Sequence, residues 1–414
     1  MFGTLFIKEC KQILRSLVYY IYVIVLILFL TSQMSGDSVN DLQKPKKGLD
    51  YYGMTVSTDK TDIMERTLAD LLQEVYQNSF STYPMGFYKQ VILNDAELDE
   101  IKEIIEDCSG KDWDTLEKEM LEYYEAADQS TIEGAMQAMM EDRIEVKKDI
   151  SYDTFCEKME RVCKIIGKGS SYEKKRLDYG VDVPSTYEKA LEEYNGIVEK
   201  DRVTGAYMRL FCDYAGIILA VLPIFLGVTR GLRDKRSQVA QVIYARNAGA
   251  GVIQGSRYLA NVCMAFLPVL IISFVLQMPW QYQAQTLGVK ADVLAFLKYD
   301  VIWLLPEIMI VLAVAFFITE LTENVISIFV QVVWAVVSLF SVAGLVGGFG
   351  LKLVTRWNEL GGSALYEQQK SQLYCNRGFY FVLSLVLVVL TCLVYEKKRK
   401  EGESVYGKIF KRRK

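Results

Sequence analysis

The sequence predicts an all-α, polytopic membrane protein: six transmembrane helices, an N-terminal interfacial helix, and a helical extracellular domain inserted between spans 1 and 2. Three observations carry this expectation. The 414-residue chain is 51% hydrophobic and only 24% charged, with 26 Tyr and 19 Phe, a balance found in membrane proteins. Six stretches are apolar over lengths approaching the ~20 residues that cross a bilayer as a helix. The charge is also partitioned, because Asp37 to Arg202 holds 38 acidic against 22 basic residues (net −16), whereas the remainder of the chain is +12. A water-soluble acidic block within a basic, apolar chain belongs on one face of a membrane, with the basic loops on the other.

Residues 1–16 place Phe2, Phe6, Cys10, Ile13 and Leu17 near helical period, with Lys8, Lys11 and Arg15 off that stripe, the pattern of a helix lying along the membrane surface. A cleaved signal peptide shares the basic start and apolar run, but not this amphipathic pattern. The first span follows at 17–34. The domain expected at 35–206 reads as helices at 61–78, 95–107, 112–126, 131–147, 151–166 and 185–200. Starts are marked by Asn94 or Asp95, by Ser151, and by Pro184-Ser185, residues that satisfy the free N–H groups of a first turn. At about 165 residues such a domain buries its own core. The membrane region, 207–395, supplies further spans at 207–229, 257–280, 300–318, 324–347 and 378–395, with a loop at 230–257 and a basic tail at 396–414.

Six crossings put both termini on one side. Lys8, Lys11 and Arg15 precede the first span, six basic residues fill 230–257, and nine follow the last span. By the positive-inside rule these segments are cytoplasmic and the chain is a multi-pass protein of the cell membrane. The loop ITELTEN dissents, carrying Glu320 and Glu323 with no Lys or Arg, but acidic residues weigh little in that rule.

The chain has no histidine, which removes imidazole acid–base chemistry, Ser-His-Asp and Cys-His nucleophiles and the common zinc sites. No phosphate loop, HExxH, GxSxG or GxGxxG occurs; IIGKGSS at 165–171 lacks the upstream glycine and reads as a turn. The eight cysteines are scattered singly. Cys108, Cys156 and Cys163 leave room for one disulfide, although an odd count without compact spacing favours free thiols, and Cys375 has no evident mate. No catalytic residue, metal site, bound cofactor or nucleic-acid partner is expected.

Within RGLRDKRSQVAQVIYARNAGAGVIQGSRYLA, residues 230–260, Val239, Val242, Ile243 and Arg246 fall at helical spacing, and Asn247, Gly249 and Gly251 end the turn. With Arg236 they form either a docking face or an interfacial stripe. Inside the membrane region, Arg209 and Asp213 stand four apart, the spacing of a helix-face ion pair. Glu307 follows Pro306, where the missing N–H loosens the helix, and an ionisable residue there serves either function or packing. Ser327, Gln331, Trp334, Ser338 and Ser341 repeat along one face, either as interhelical hydrogen bonds or as a translocation wall. Gly216, Ala220, Pro223 and Gly227 form a small-residue face for close helix packing.

The loop RDKRSQVAQVIYARNAGAGVIQGSRYLA resembles the first cytoplasmic loop of export-type ABC transporter permeases. VTGAYMRLFCDYAGIILAVLPIFLGVTRGLRDKR and TRWNELGGSALYEQQKSQLYCNRGFYFVLSLVLVVLTCLVYEKKRK look like the second span and C-terminal end of such permeases from low-GC Gram-positive bacteria, including an Asn-Arg pair entering the last span. The resemblance covers the first span and residues 200–414. Asp234 and Gln238-Val239 stand where those loops usually carry Glu and Gly-Thr. The resemblance implies a permease that acts as a homodimer or heterodimer with a sister permease. It implies a separate ATPase subunit, carrying ATP and Mg, that docks at Arg236, Val239, Val242, Ile243 and Arg246; an apolar route with few charges among membrane lipids fits an amphiphilic peptide, lipid or hydrophobic drug as cargo better than a sugar or an ion. A receptor or assembly scaffold, its external domain binding a partner without transport, is the alternative.

Overall fold

The computed structural model describes residues 1–34, 42–49, 51–84, 88–126, 138, 141–245, 248–340 and 349–401. Two compact units result: Met1–Lys44 with Glu192–Lys414, and Pro45–Leu191. The first begins with α1 (Phe2–Leu14) and α2 (Leu17–Met34). Phe6, Cys10 and Ile13 pack into this unit's core, as the apolar stripe requires, but Glu9 is buried with them.

In the second unit the chain runs β1 (Met54–Ser57), α3 (Lys60–Gln77), β2 (Phe80–Thr82), β3 (Lys89–Val91), α4 (Asp95–Ser109), α5 (Trp113–Ala126), α6 (Tyr152–Ile166), α7 (Lys174–Leu177) and β4 (Val181–Pro184). Leu68, Leu71 and Leu72 of α3, Ile101, Ile104 and Ile105 of α4, and Phe155, Met159 and Val162 of α6 share one core. Asp59 caps α3, accepting from Thr61 N at 2.8 Å. Asn94 rather than Asp95 caps α4, in a reciprocal box with Glu97, and Ser151 caps α6. Gly169 fills the turn expected at 165–171: its φ is +84° and a Cβ there would lie 2.5 Å from the Tyr83 carbonyl carbon.

The all-α expectation is corrected here, because β1 pairs antiparallel with β4 (Met54 opposite Pro184) and β2 with β3 (Phe80 opposite Val91). Strands of three or four residues are too short to display alternation in sequence. The helix expected over 131–147 also fails at 142–147, whose backbone bonds outward: Ile144 N donates to Glu65 O and Lys147 N to Cys108 O. Residues 131–137, 139 and 140 lie outside the described residues. All eight cysteines are free thiols.

Burial pushes the half-buried Asp70 of α3 from 3.8 up to about 6, against the pull of Arg66 at 2.6 Å. Glu74 and Asp142 are also raised, chiefly by burial. A carboxyl raised in this way binds its proton more tightly folded than unfolded. Its contribution is complete below 3.8 and is lost as pH rises through about 6. Asp62 works oppositely, lowered by its hydrogen bond from Ser57, but its effect falls below 3.8. Amides of α3, corrected for intrinsic exchange, should therefore be better protected at about pH 5 than at about pH 7, and Asp70→Asn should shrink the difference. Equal protection of the wild-type helix at both pH values would refute this.

The chain returns to the first unit at Glu192, within α8 (Tyr187–Asn195), and a π-helical turn (Gly196–Lys200) follows. The chain then turns sharply before the second span: Thr204 N reaches back to Arg202 O at 2.6 Å around Val203, φ 62° and ψ −61°. This is a γ-turn on a β-branched residue, strained by about 1–3 kcal/mol and held by complete burial of Val203. Next come α9 (Thr204–Leu219), α10 (Ile224–Arg236), α11 (Ala240–Tyr244), α12 (Ala250–Thr286), α13 (Ala295–Tyr299), a second π turn (Asp300–Leu304), α14 (Leu305–Thr322), α15 (Ile326–Phe340) and α16 (Ser363–Glu401).

The second predicted span is broken between α9 and α10 because Pro223 has no N–H to give and its ring crowds the preceding turn. The carbonyl of Ala220, freed by that break, accepts from Gln331 Nε2 of α15 at 2.7 Å. Pro306 sits at the start of α14, and the loosening it imposes appears just before it as the second π turn. The small-residue face behaves as its composition requires: a Cβ on Gly227 would lie 2.5 Å from Ala315, one on Gly231 2.8 Å from Thr319, and one on Gly216 3.3 Å from Glu307. That lets α9 and α10 lie directly against α14.

Among the described residues, five segments are long and apolar enough to cross a membrane: Leu17–Met34, Thr204–Arg236, Ala250–Thr286, Ala295–Thr322 and Ser363–Lys400. The chain is a multi-pass membrane protein. The remaining candidate, α15, has 15 described residues, about 22 Å of helix against a core of about 30 Å; residues 341–348, including Ser341, lie outside the described residues. Leu28 of α2, Ile271 of α12, Val337 of α15 and Val389 of α16 are each more than half exposed, the surface expected of helices that meet lipid tails.

Candidate functional site

Two groups of buried charge organise the membrane unit. The first centres on Glu9 of α1, whose carboxylate accepts both Arg230 Nε at 2.6 Å and Arg230 Nη2 at 2.7 Å. Arg230 also reaches Asp234 one turn along α10, at 3.1 Å, and Asp234 accepts Arg257 Nη2 of α12 at 2.5 Å. Arg257 lies 3.8 Å from Glu9, which closes a four-membered ring of alternating charge. Planar guanidinium groups make such rings because each presents several donors in a fixed fork.

An open chain of polar contacts adjoins it. Lys398 of α16 bonds Glu323 at 3.0 Å and Glu320 of α14 at 3.4 Å, Lys235 of α10 bonds Glu323 at 2.9 Å, and Gln254 of α12 donates to Glu320 at 3.1 Å. The acidic loop that dissented in the sequence is neutralised by two lysines distant in the chain. Arg399 then ties the α11 loop to α16, donating to the carbonyls of Tyr244 at 2.9 Å and Ala248 at 2.7 Å, while Tyr244 meets the Tyr395 ring edge-on. Between the Glu9 ring and this chain of contacts lies a cavity of about 170 Å³. Its wall includes Tyr395, whose buried hydroxyl has no hydrogen-bond partner.

The second group surrounds a non-helical segment, 349–362. Arg377 of α16 donates to Glu307 of α14 at 2.9 Å, to Thr355 Oγ1 at 2.8 Å and to the Leu353 carbonyl at 3.0 Å. Asp213 of α9 accepts from Arg356 Nε at 2.8 Å and from the backbone N–H groups of Trp357 and Asn358 at 2.9 and 3.0 Å. Asn376 holds the Gly350 and Lys352 carbonyls, and Tyr380 the Leu351 carbonyl. Irregular backbone survives among membrane helices only when protein groups satisfy it, and these side chains do so.

The residues singled out from sequence separate accordingly. Arg209 and Asp213 do not pair with each other. Arg209 makes a bidentate bond to Asp201 at 2.5 and 2.6 Å and lies over the Tyr366 ring, while Asp213 turns to 356–358. Helical spacing makes an i,i+4 pair available, but Asp201 offers both oxygens to the guanidinium fork and 356–358 offers three donors, and these stronger matches win. Glu307 is paired. The described hydroxyl and amide groups of the α15 stripe are hydrogen-bonded within the protein: Ser327 with Thr319 at 3.0 Å, Gln331 with Ala220, and Ser338 accepting from Val354 N of the non-helical segment at 2.9 Å.

In the loop, Val242 is 62% and Val239 39% exposed, and Arg236 is exposed with no ion pair among the described residues. Ile243 is not on that face: it packs with Ala248, Ala250, Ile253 and Tyr395 and so anchors α11. Arg246 lies outside the described residues. Sequence reasoning missed Glu9, Asp201, Arg257, Asp300 and Lys398. Glu9 had a visible signal, since it falls three residues after Phe6 and four before Ile13, an acid within an apolar stripe.

Among the described residues no cluster of His, Cys, Asp or Glu is arranged to hold a metal. Comparison with protein-family models, curated proteins and solved structures returns no match to this chain.

Proposed function

We propose that the chain is the membrane-spanning permease subunit of an ATP-driven exporter, crossing the cell membrane six times with both termini and the α11 loop in the cytoplasm and the Pro45–Leu191 unit outside. It works as a dimer, with itself or a sister permease, and with a separate ATPase subunit that carries ATP and Mg. The observation that carries this reading is the construction of the loop. Val239, at the N-cap of a short helix, and Val242 within it are exposed, and the opposite face is fastened to α12 and α16 by Ile243, Tyr244 and Arg399. An apolar face on a rigidly tethered helix is what a partner needs in order to push on the spans; a loop that only set topology would need charge alone. The Glu9 ring supplies a second point of purchase by joining α1 to α10 and α12. Because the buried cations of this unit are already held by internal carboxylates or carbonyls, the interior favours an amphiphilic cargo over a strongly charged one.

Val242→Asp places a charge on the docking face without touching Ile243. It is expected to lower capture of a co-expressed ATPase by at least about tenfold, a loss of about 1.4 kcal/mol, while the permease still inserts and folds. Unchanged co-purification would sink the docking role.

A further inference from the structure

Among the described residues the membrane unit buries four carboxylates: Glu9, Asp213, Asp300 and Glu307. Glu9, Asp213 and Glu307 each face an arginine. Asp300 does not, and among the described residues no Lys or Arg nitrogen comes within ion-pair distance of it. It has zero exposure and begins the π turn of the 295–322 span, a local geometry that recurs at functional positions. Its two oxygens meet only neutral groups: Oδ2 contacts the Ser273 hydroxyl of α12, and Oδ1 lies 3.9 Å from the Cys212 sulfur of α9, both residues also at zero exposure.

The charges around this point are committed elsewhere. On α9, Arg209 is taken by Asp201 and Asp213 by Arg356; on α14 and α16, Glu307 and Arg377 hold each other. Gln277, one turn along α12 from Ser273, is spent on the Val293 carbonyl and the Phe296 N–H. Tyr299, beside Asp300 in the chain, faces Arg209 and Tyr366. An ionised Asp300 would thus be a lone carboxylate inside a membrane protein with a hydroxyl and a distant thiol for company, a strongly unfavourable burial. The hydrogen count gives the alternative. The Ser273 hydroxyl has one hydrogen and two acceptor neighbours, Asp300 and the Leu270 carbonyl at 3.1 Å. A protonated Asp300 donates to Ser273 Oγ, which passes its own hydrogen to Leu270, and every hydrogen then has an acceptor.

We propose that Asp300 is a proton-binding site at the junction of α9, α12 and the π turn. It holds a proton while the three elements are packed, and releases it to water when α9 moves against α12 and the junction opens. In the release step the carboxyl O–H bond breaks, the proton passes to a water molecule and the bonding pair stays on the carboxylate, which is then hydrated. Proton binding and packing are therefore linked: protons favour the closed junction, and the closed junction loses ground as pH rises. This inference does not depend on the exporter reading.

Infrared difference spectroscopy on the purified full-length protein in lipid nanodiscs tests it. At about pH 7 an ordinary aspartate, near 3.9, is ionised. The wild type minus Asp300→Asn should show one protonated-carboxyl C=O stretch per chain, sensitive to deuterium exchange. Ser273→Ala should keep that band but shift it to higher wavenumber, because the acid loses its acceptor. Asp300→Asn is close in shape to a neutral acid and should fold; if it does not, the wild type against Ser273→Ala still decides. Absence of the band from the wild-type difference spectrum, or a band unmoved in Ser273→Ala, would overturn the assignment.

Discussion

Arg377→Met is expected to cost the protein about 3–5 kcal/mol of stability, the loss that follows when one partner of a buried ion pair is removed and the other keeps its charge. Glu307 is the partner left behind. It has zero exposure, one of its oxygens already lacks a hydrogen-bond donor, and Gly216 leaves it no alternative ligand on α9. The double variant Arg377→Met/Glu307→Gln removes the orphaned charge and should recover part of the loss. Recovery should stop short of wild type by about 1–3 kcal/mol, the cost of a buried acceptor left unsatisfied, since Arg377 also satisfies the Leu353 carbonyl and Thr355. Equilibrium unfolding in mixed micelles, followed by tryptophan fluorescence, reads both numbers. A single-variant loss below about 1 kcal/mol would mean that water reaches Glu307 and that the pair is not buried as described.

That pairing shows where sequence reading reaches and where it stops. Hydropathy located five of the six predicted spans among the described residues, because an apolar run must be buried in lipid or protein whatever its neighbours are. Caps were readable for the same local reason: Asn94 and Ser151 occupy theirs, whereas Asp59 caps α3 without having been singled out. Partners of buried charge are a different matter. Arg377 stands 70 residues from Glu307, Arg356 143 from Asp213 and Arg230 221 from Glu9, and no period within one element encodes such separations. The i,i+4 rule proposed Arg209 with Asp213 because it sees one helix at a time. The non-helical 349–362 segment was invisible for a related reason: its stability resides in side chains of α9, α15 and α16. The four short strands carried too few residues to show a period.

The burial of Glu9 sets up the second large effect, and it is local. Glu9→Ala leaves Arg230 and Arg257, both nearly buried, sharing only Asp234. Two guanidinium groups brought together without Glu9 repel each other, and α1 loses its one bidentate tie to α10. Its remaining hold is the apolar packing of Phe6, Cys10 and Ile13, with Gln12 bonded to Arg233 at the exposed edge. The loss should fall on α1 before the rest of the unit, because helices with few buried contacts open first. Taking about 3 kcal/mol as the cost, amide exchange in α1 should accelerate by roughly a hundredfold, with α12 and α14 little changed. Glu9→Gln keeps the shape and two hydrogen-bonding atoms, so it should fall between. If the exporter reading holds, the same variant separates binding from work: α11 still presents Val242, so the ATPase is still captured, while transport falls because α1 no longer moves with α10 and α12. Wild-type exchange in α1 of Glu9→Ala would show that the ring is decoration. Loss of ATPase capture together with transport would instead place α1 in the docking surface.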